Sequence, residues 1–216
     1  IDDQKEISKI SKLKIFIRFN NLFSIKNIEA QDIILENANF NINSENYDFF
    51  MRPLDKNFKN GNLTIKNSNI FFKNFNNEVL FINKVLKIKY YYDNKELKNI
   101  FYSENEIFNI PFSLKSFFSE DKSNLFSQIN LSLMKLKIEN ELSFEDEKKI
   151  GKSEFIINKL KRNAEYQINK NSINFRIFDK LDQPDKIYTG NFNFKPFYGN
   201  LEGDLSEINL NTIFGT

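Results

Sequence analysis

The sequence predicts a mainly-β protein, a long antiparallel meander with one or two short helices. Three observations predict it. Beyond residue 30 apolar and polar residues alternate with a period of two almost everywhere. The polar connections between the alternating segments, such as "NKNS" and "DKLDQPDK", are short, which favours antiparallel neighbours over parallel crossovers. Phe (25 residues), Ile and Tyr suit strands, while scarce Ala argues against a helical bundle. AT-rich codons encode the same favoured residues, so part of this bias is expected to be mutational.

Residues 1–22 read as a helical or loop lead-in, because Ile7, Ile10 and Leu13 fall at helical spacing. The first clear strand carries Phe40 and Ile42 between Asn39, Asn41 and Asn43. "SENYDFFMRPLD" then offers a short helix, with Ser44 as N-cap, Phe49 and Phe50 inside and Pro53 near the end. "NGNLTIKNSNIFFKN", Asn60 to Asn74, reads as a hairpin: Leu63 and Ile65, a turn at Asn67-Ser68, then Ile70 and Phe72. Its second half echoes an earlier segment, since "LENANFNI" at Leu35 to Ile42 aligns with "IKNSNIFF" at Ile65 to Phe72, 30 residues on.

Alternation continues through Leu86, Ile88 and Tyr90, then through Phe108, Ile110, Phe112 and Leu114. Ile129, Leu131 and Leu133 are followed by Leu136 and Ile138, and the change of phase at Met134 predicts a bulge. Further strands carry Leu142 and Phe144; Phe155 and Ile157; Ala164, Tyr166 and Ile168; Ile173, Phe175 and Ile177; and Phe192 and Phe194. The tail "SEINLNTIFG" offers a last helix beginning at Asn209 or Asn211. The side of the strands away from these residues is rich in Asn, Lys, Glu and Ser. A strand buried on both faces would read as a continuous apolar run. These strands therefore have one dry and one wet face, as in a two-sheet sandwich or in a single sheet curled around a groove.

The missing residue types narrow the chemistry. With no His and no Cys, thiol nucleophiles, Ser-His-Asp triads and the usual zinc sites are excluded. The carboxylates of "SEDKS" (Ser119–Ser123) and "FEDEKK" (Phe144–Lys149) fall between strands and read as solvated turns rather than acid/base pairs. The two "ENE" runs, Glu104–Glu106 and Glu139–Glu141, lack the spacing of a known ion-binding loop. No Gly-rich phosphate cradle is present, so neither catalysis nor a cofactor is expected. The net charge of +2 comes from 31 basic and 29 acidic residues mixed along the chain, with "NKLKRN" the densest basic stretch, and nucleic acid is not an expected partner. No apolar run approaches the roughly 18 residues of a membrane-spanning helix. Beginning at Ile1 and ending after "NTIFG", the chain is expected to be a piece of a longer protein, read over 1–216 as one elongated β-rich region.

Three segments resemble the AsmA-like proteins of Gram-negative envelopes, the group containing AsmA, TamB and YhdP. They are "SIKNIEAQDIILENANFNI" (Ser24–Ile42), "NGNLTIKNSNIFFKN" with "EVLFINKVLKIKYYY", and "TGNFNFKPFYGNLEGDLSEINLNTIF" (Thr189–Phe214). The resemblance implies a U-shaped antiparallel sheet with an apolar groove, placed in the periplasm and anchored to the inner membrane by a segment outside this chain. It implies a part in phospholipid transport or outer-membrane biogenesis, with a phospholipid or other acyl-chain lipid as partner. The groove lining would then be Phe40, Ile42, Leu63, Ile65, Ile70, Phe72, Leu86, Ile88, Tyr90, Phe108, Ile110, Phe112, Ile173, Phe175, Ile177, Phe192 and Phe194.

Two other readings compete. One is a structural or adhesive β-sandwich or solenoid whose apolar faces are satisfied inside. The other is part of an outer-membrane barrel, which ranks last because the strands are short and their Phe residues are not gathered into girdles. Geometry discriminates. A groove leaves a contiguous apolar face open, whereas a sandwich covers Phe40, Ile65, Phe72, Ile88, Phe112 and Phe175 with a second sheet.

Overall fold

A computed structural model describes residues 7–19, 28–43, 45–51, 61–74, 76–144, 149–158, 160–179, 187–194 and 197–203. The protein is mainly β, with thirteen strands in one open sheet whose spatial order is the chain order, so β1 and β13 are its edges. The strands are β1 (Ser8–Phe19), β2 (Ile28–Ile42), β3 (Asn62–Lys73), β4 (Val79–Asp93), β5 (Lys98–Ile107), β6 (Ile110–Phe118) and β7 (Asn124–Leu131). They continue as β8 (Leu136–Ser143), β9 (Lys149–Ile157), β10 (Leu160–Ile168), β11 (Ser172–Phe178), β12 (Ile187–Phe194) and β13 (Phe197–Glu202). Every neighbouring pair is antiparallel except β2 and β3, which run parallel. The connection between those two contains the one α-helix among the described residues, α1 (Tyr47–Met51). Its entry is fixed by Asn43, whose Oδ1 accepts from the backbone N–H of Glu45 and of Asn46 (3.0 and 3.1 Å). The expected cap, Ser44, lies outside the described residues, as does the tail from residue 204.

Within the expected lead-in Ser8–Phe19 is strand β1 rather than helix or loop, residues 1–6 and 20–22 lying outside the described residues, and the "NGNLTIKNSNIFFKN" hairpin is not a hairpin. That stretch is one strand, β3, paired along its length with β4. Asn67 adopts a left-handed conformation (φ 48°) within it, and Asn37 does the same (φ 53°) within β2. Such a residue adds one position to the strand and shifts the apolar phase, so Ile65 is followed on its own face by Ser68 rather than by Asn67. The 30-residue echo is the parallel pair itself: Leu35 stands beside Ile65 and Ile42 beside Phe72, with both left-handed Asn residues in step. Side chains clamp that register. Asn62 donates to Asp32 (2.7 Å), Asn69 to Asn39 (3.1 Å), and the backbone N–H of Ala38 to Ser68 Oγ (3.0 Å).

Two more expectations need correction. Met134 marks no bulge; Ser132–Met134 form a 3-10 turn closing the β7–β8 hairpin. Phe108 is not a strand residue. With Asn109 it makes the two-residue turn joining Ile107 of β5 to Ile110 of β6, both turn residues having positive φ (51° and 62°). An aromatic residue costs about 1 kcal/mol in that conformation, and Phe108 is 76 % exposed, so it gains little packing in return. Replacing Phe108 with Asn is expected to stabilise the protein by up to about 1 kcal/mol, a rise in Tm of roughly 2–4 °C. A fall in Tm would show that the exposed ring does more than turn the chain.

Candidate binding face

Residues directly opposite each other on neighbouring strands share a face, so the register assigns every side chain. One row runs Leu13, Leu35, Ile65, Ile88, Ser103, Leu114, Ile129, Ile138 and Phe155 across nine successive strands. At about 4.8 Å per strand the row is roughly 40 Å long. A bilayer's hydrocarbon core, two acyl chains deep, is about 30 Å. Phe40, Ile65, Phe72, Ile88, Phe112 and Phe175 all fall on this face, and no second sheet covers it among the described residues. The architecture is therefore not a two-sheet sandwich.

From β6 to β10 the face carries a furrow. Ser116, Ser127, Asn140, Ser153 and Ala164 form a row of mostly small side chains. Bulkier residues flank it, with Leu114, Ile129, Ile138 and Phe155 on one side and Phe118, Leu125, Leu142 and Tyr166 on the other. The amide oxygen of Asn140 is engaged within the furrow, accepting from Ser153 Oγ and from the Tyr166 hydroxyl, both at 2.7 Å. Three aromatic rings lie flat over cross-strand glycines: Tyr166 over Gly151, Phe175 over Gly190 and Phe192 over Gly199. A Cβ on Gly151 would stand only 2.0 Å from the Tyr166 ring. The missing side chain is what lets the ring lie down.

Near β2–β5 the same face is shut in: Ala38, Phe40, Val85, Ile88 and Tyr90 are buried. Part of the cover is α1, whose Phe50 ring meets Phe40 edge-on at 6.0 Å. Towards the edges the face is open, with Leu13 54 % exposed on β1 and Leu201 52 % exposed on β13.

Of the residues expected to line a groove, the register brings together Phe40, Ile42, Leu63, Ile65, Ile70, Phe72, Ile88, Tyr90, Ile110, Phe112, Ile173, Phe175, Ile177 and Phe192. Some pack on one another, as in the stacked pairs Phe72–Phe81 (4.5 Å) and Phe175–Phe192 (5.3 Å). Phe194 ends β12 opposite Phe197, and its side chain lies outside the described residues. Leu86 and Phe108 do not join the others. Phe108 is at the hairpin tip, and Leu86 falls where β4 bulges against β5, between Val85 and Lys87.

The opposite face is more polar but mixed: it is laced with ion pairs, Lys84–Glu106 (2.6 Å), Lys161–Glu154 (3.0 Å), Arg176–Glu165 (2.8 Å) and Glu96 with both Lys98 and Lys115, and it also carries Phe117, Phe126 and the buried Ile100 and Phe178. Two hollows of about 440 and 450 Å³ lie on this polar face, the first among Lys115, Phe117, Phe126, Glu139, Glu141, Lys152 and Glu165. An acyl chain in the first hollow would meet Phe117, Phe126 and Phe178 but also charges, several of them already paired, which makes the apolar face the better candidate.

No family model matches the chain, and no curated protein or solved structure does either. The site must be read from its own chemistry. "SEDKS" is a hairpin turn stapled by Asp121, whose carboxylate accepts from Ser119 Oγ (2.6 Å), Ser123 N (3.0 Å) and Ser123 Oγ (2.8 Å). Those bonds hold its pKa down to about 2, the opposite of what a general acid needs near neutrality. In "ENE", Glu104 accepts from the Tyr102 hydroxyl (2.8 Å) and Glu106 pairs with Lys84. Most of "FEDEKK" lies outside the described residues. Among the described residues no carboxylate cluster has the arrangement of a metal site, and no helix is long and apolar enough to cross a membrane.

Proposed function

We propose that the chain is a non-enzymatic, lipid-handling module that holds acyl chains along the apolar face of its sheet. The observation that carries this reading is the row across nine strands, apolar at every position but Ser103, with no second sheet over it among the described residues. Each methylene buried against such a surface is worth about 0.8 kcal/mol, so a chain of ordinary length needs no fixed polar contact to stay. A furrow floored by small side chains whose central amide oxygen is already engaged offers a track rather than a single pocket.

The resemblance of Ser24–Ile42, of Asn60–Asn74 with Glu78–Tyr92, and of Thr189–Phe214 to the AsmA-like proteins supports this reading. On that reading it works in the periplasm, in phospholipid transport or outer-membrane biogenesis, tethered to the inner membrane by a segment outside this chain. The test is photo-crosslinking with a benzoylphenylalanine probe at Ile65 or Phe72 in the full-length protein, followed by mass spectrometry of the adducts. Phospholipid adducts are expected at both positions and not at Thr64, on the polar face of the same strand. No adduct at either, beside a working positive control, rejects the reading.

A further inference from the structure

Four polar side chains are buried on the apolar face where it is most shut in: Ser68 on β3, Asn83 on β4, and Ser103 and Asn105 on β5, each no more than 9 % exposed. Three of them are accounted for. Ser68 Oγ donates to the Lys66 carbonyl (2.8 Å) and accepts from the Ala38 N–H. Asn105 Nδ2 donates to Ser103 Oγ (2.7 Å), and Asn105 Oδ1 accepts from Asn83 Nδ2 (3.4 Å). The chain of bonds ends at Asn83 Oδ1, a buried acceptor with no partner among the described residues. Leaving such an atom unpaired costs its full desolvation penalty, with no hydrogen bond to offset it.

The surroundings say what could pair with it. Asn83 is opposite Ile70, which is opposite Phe40, the residue on which α1 rests through Phe50. The acceptor is thus about 10 Å, two strand spacings, from the α1 contact. The apolar-face positions of β2–β5 hold no Lys, Arg, Asp or Glu; the charged residues of these strands, such as Lys84 and Glu106, sit on the other face. A phosphate or ammonium brought to Asn83 would be a buried, unpaired charge, stripped of water with no counter-charge to repay the loss. A neutral donor would not.

We propose that Asn83 Oδ1 anchors a neutral hydrogen-bond donor, a hydroxyl or amide N–H, at the head of a ligand whose acyl chain lies on the apolar face. This rests on the acyl-chain reading above and adds polarity to it: the head goes beneath α1 and the tail runs towards β6 and beyond. Because Oδ1 is covered, binding there exchanges part of the cover near Phe40 for the ligand.

The test compares 1-dodecanol with 1-methoxydodecane, the same chain without the donor, by titration calorimetry against the whole chain. The alcohol is expected to bind about fivefold to tenfold more tightly. In Asn83→Leu, which removes acceptor and donor together, the two ligands are expected to bind equally. Equal affinities in the unsubstituted protein, or a preference for the ether, overturn the anchor and leave the acyl-chain reading standing. A preference for the alcohol that survives in a folded Asn83→Leu also overturns it. Binding of neither ligand overturns both. The comparison in the unsubstituted protein decides the matter even if the variant does not fold.

Discussion

Replacing Ser68 with Ala will destabilise the protein by about 1–3 kcal/mol, a large loss for the removal of one oxygen. The reason is the left-handed residue beside it. Where Asn37 and Asn67 bulge in step, the parallel ladder skips from Glu36–Lys66 to Asn39–Asn69. The N–H of Ala38, a residue with no exposed surface, is taken instead by Ser68 Oγ. In Ser68→Ala that donor stays buried with nothing to receive it. Ser68→Thr keeps the oxygen and should recover most of the loss. Asn67→Val attacks the same feature from the backbone, since a β-branched residue is disfavoured at φ 48° by roughly 1–2 kcal/mol, whereas Asn67→Gly should be tolerated. Urea unfolding of the four variants checks this. Ser68→Ala unfolding at the same midpoint as the parent would show that the hydroxyl is not what holds β2 to β3.

The same bulge line explains which parts of the fold were legible. Alternation exposed most strands because one face is apolar and the other wet, and the thirteen-strand meander follows from that and from short turns. The helical or loop lead-in expected at the start came from Ile7, Ile10 and Leu13, each three residues apart, the last two of which lie within β1. In the sheet those two share a face because β1 follows the kinked β2, where their partners Ala38 and Leu35 are also three apart. A one-residue bulge therefore imitates helical spacing. Asn67-Ser68 imitated a turn for a related reason: Asn is favoured where φ must be positive, in turns and bulges alike. Five of the nine non-Gly residues with positive φ among those described are Asn, so part of the high Asn content has a conformational use beyond codon bias. The parallel β2–β3 pair left only an eight-residue echo, because which side a strand returns on depends on the connection through α1 rather than on the strands.

The candidate site was half legible for a similar reason. Residues in unbroken phase, such as Phe112 and Phe175, were found by alternation. Ser68, Asn83, Ser103 and Asn105 were hidden, since a polar residue on a one-sided strand is assigned to the wet face by default. The available signal was positional: Asn83 sits between Phe81 and Val85, and Ser103 and Asn105 between Phe101 and Ile107, all in apolar phase. Following phase rather than residue type would have placed them on the dry face.

If the apolar face carries acyl chains, one carboxylate in the central row should interrupt it while the same change one residue away should not. Ile129 on β7 lies between Leu114 and Ile138 in that row. Its neighbour Asn130 points to the polar face, opposite Lys137. Asp is too short to lift its charge clear of the face as Lys would, and a carboxylate set against hydrocarbon costs several kcal/mol. Lipid adducts to a probe at Ile138 are therefore expected to fall at least about tenfold in Ile129→Asp, the equivalent of about 1.4 kcal/mol. In Asn130→Asp they should stay near the parental level, because the new charge faces water on the polar face, opposite Lys137, which already pairs with Glu139. The two variants carry the same net charge and differ only in which face receives it, so a general effect on solubility or membrane attraction moves both. Equal adduct yields would mean that the lipid, if any, lies elsewhere. The polar-face hollow bounded by Glu139 and Lys152 would then become the site to probe.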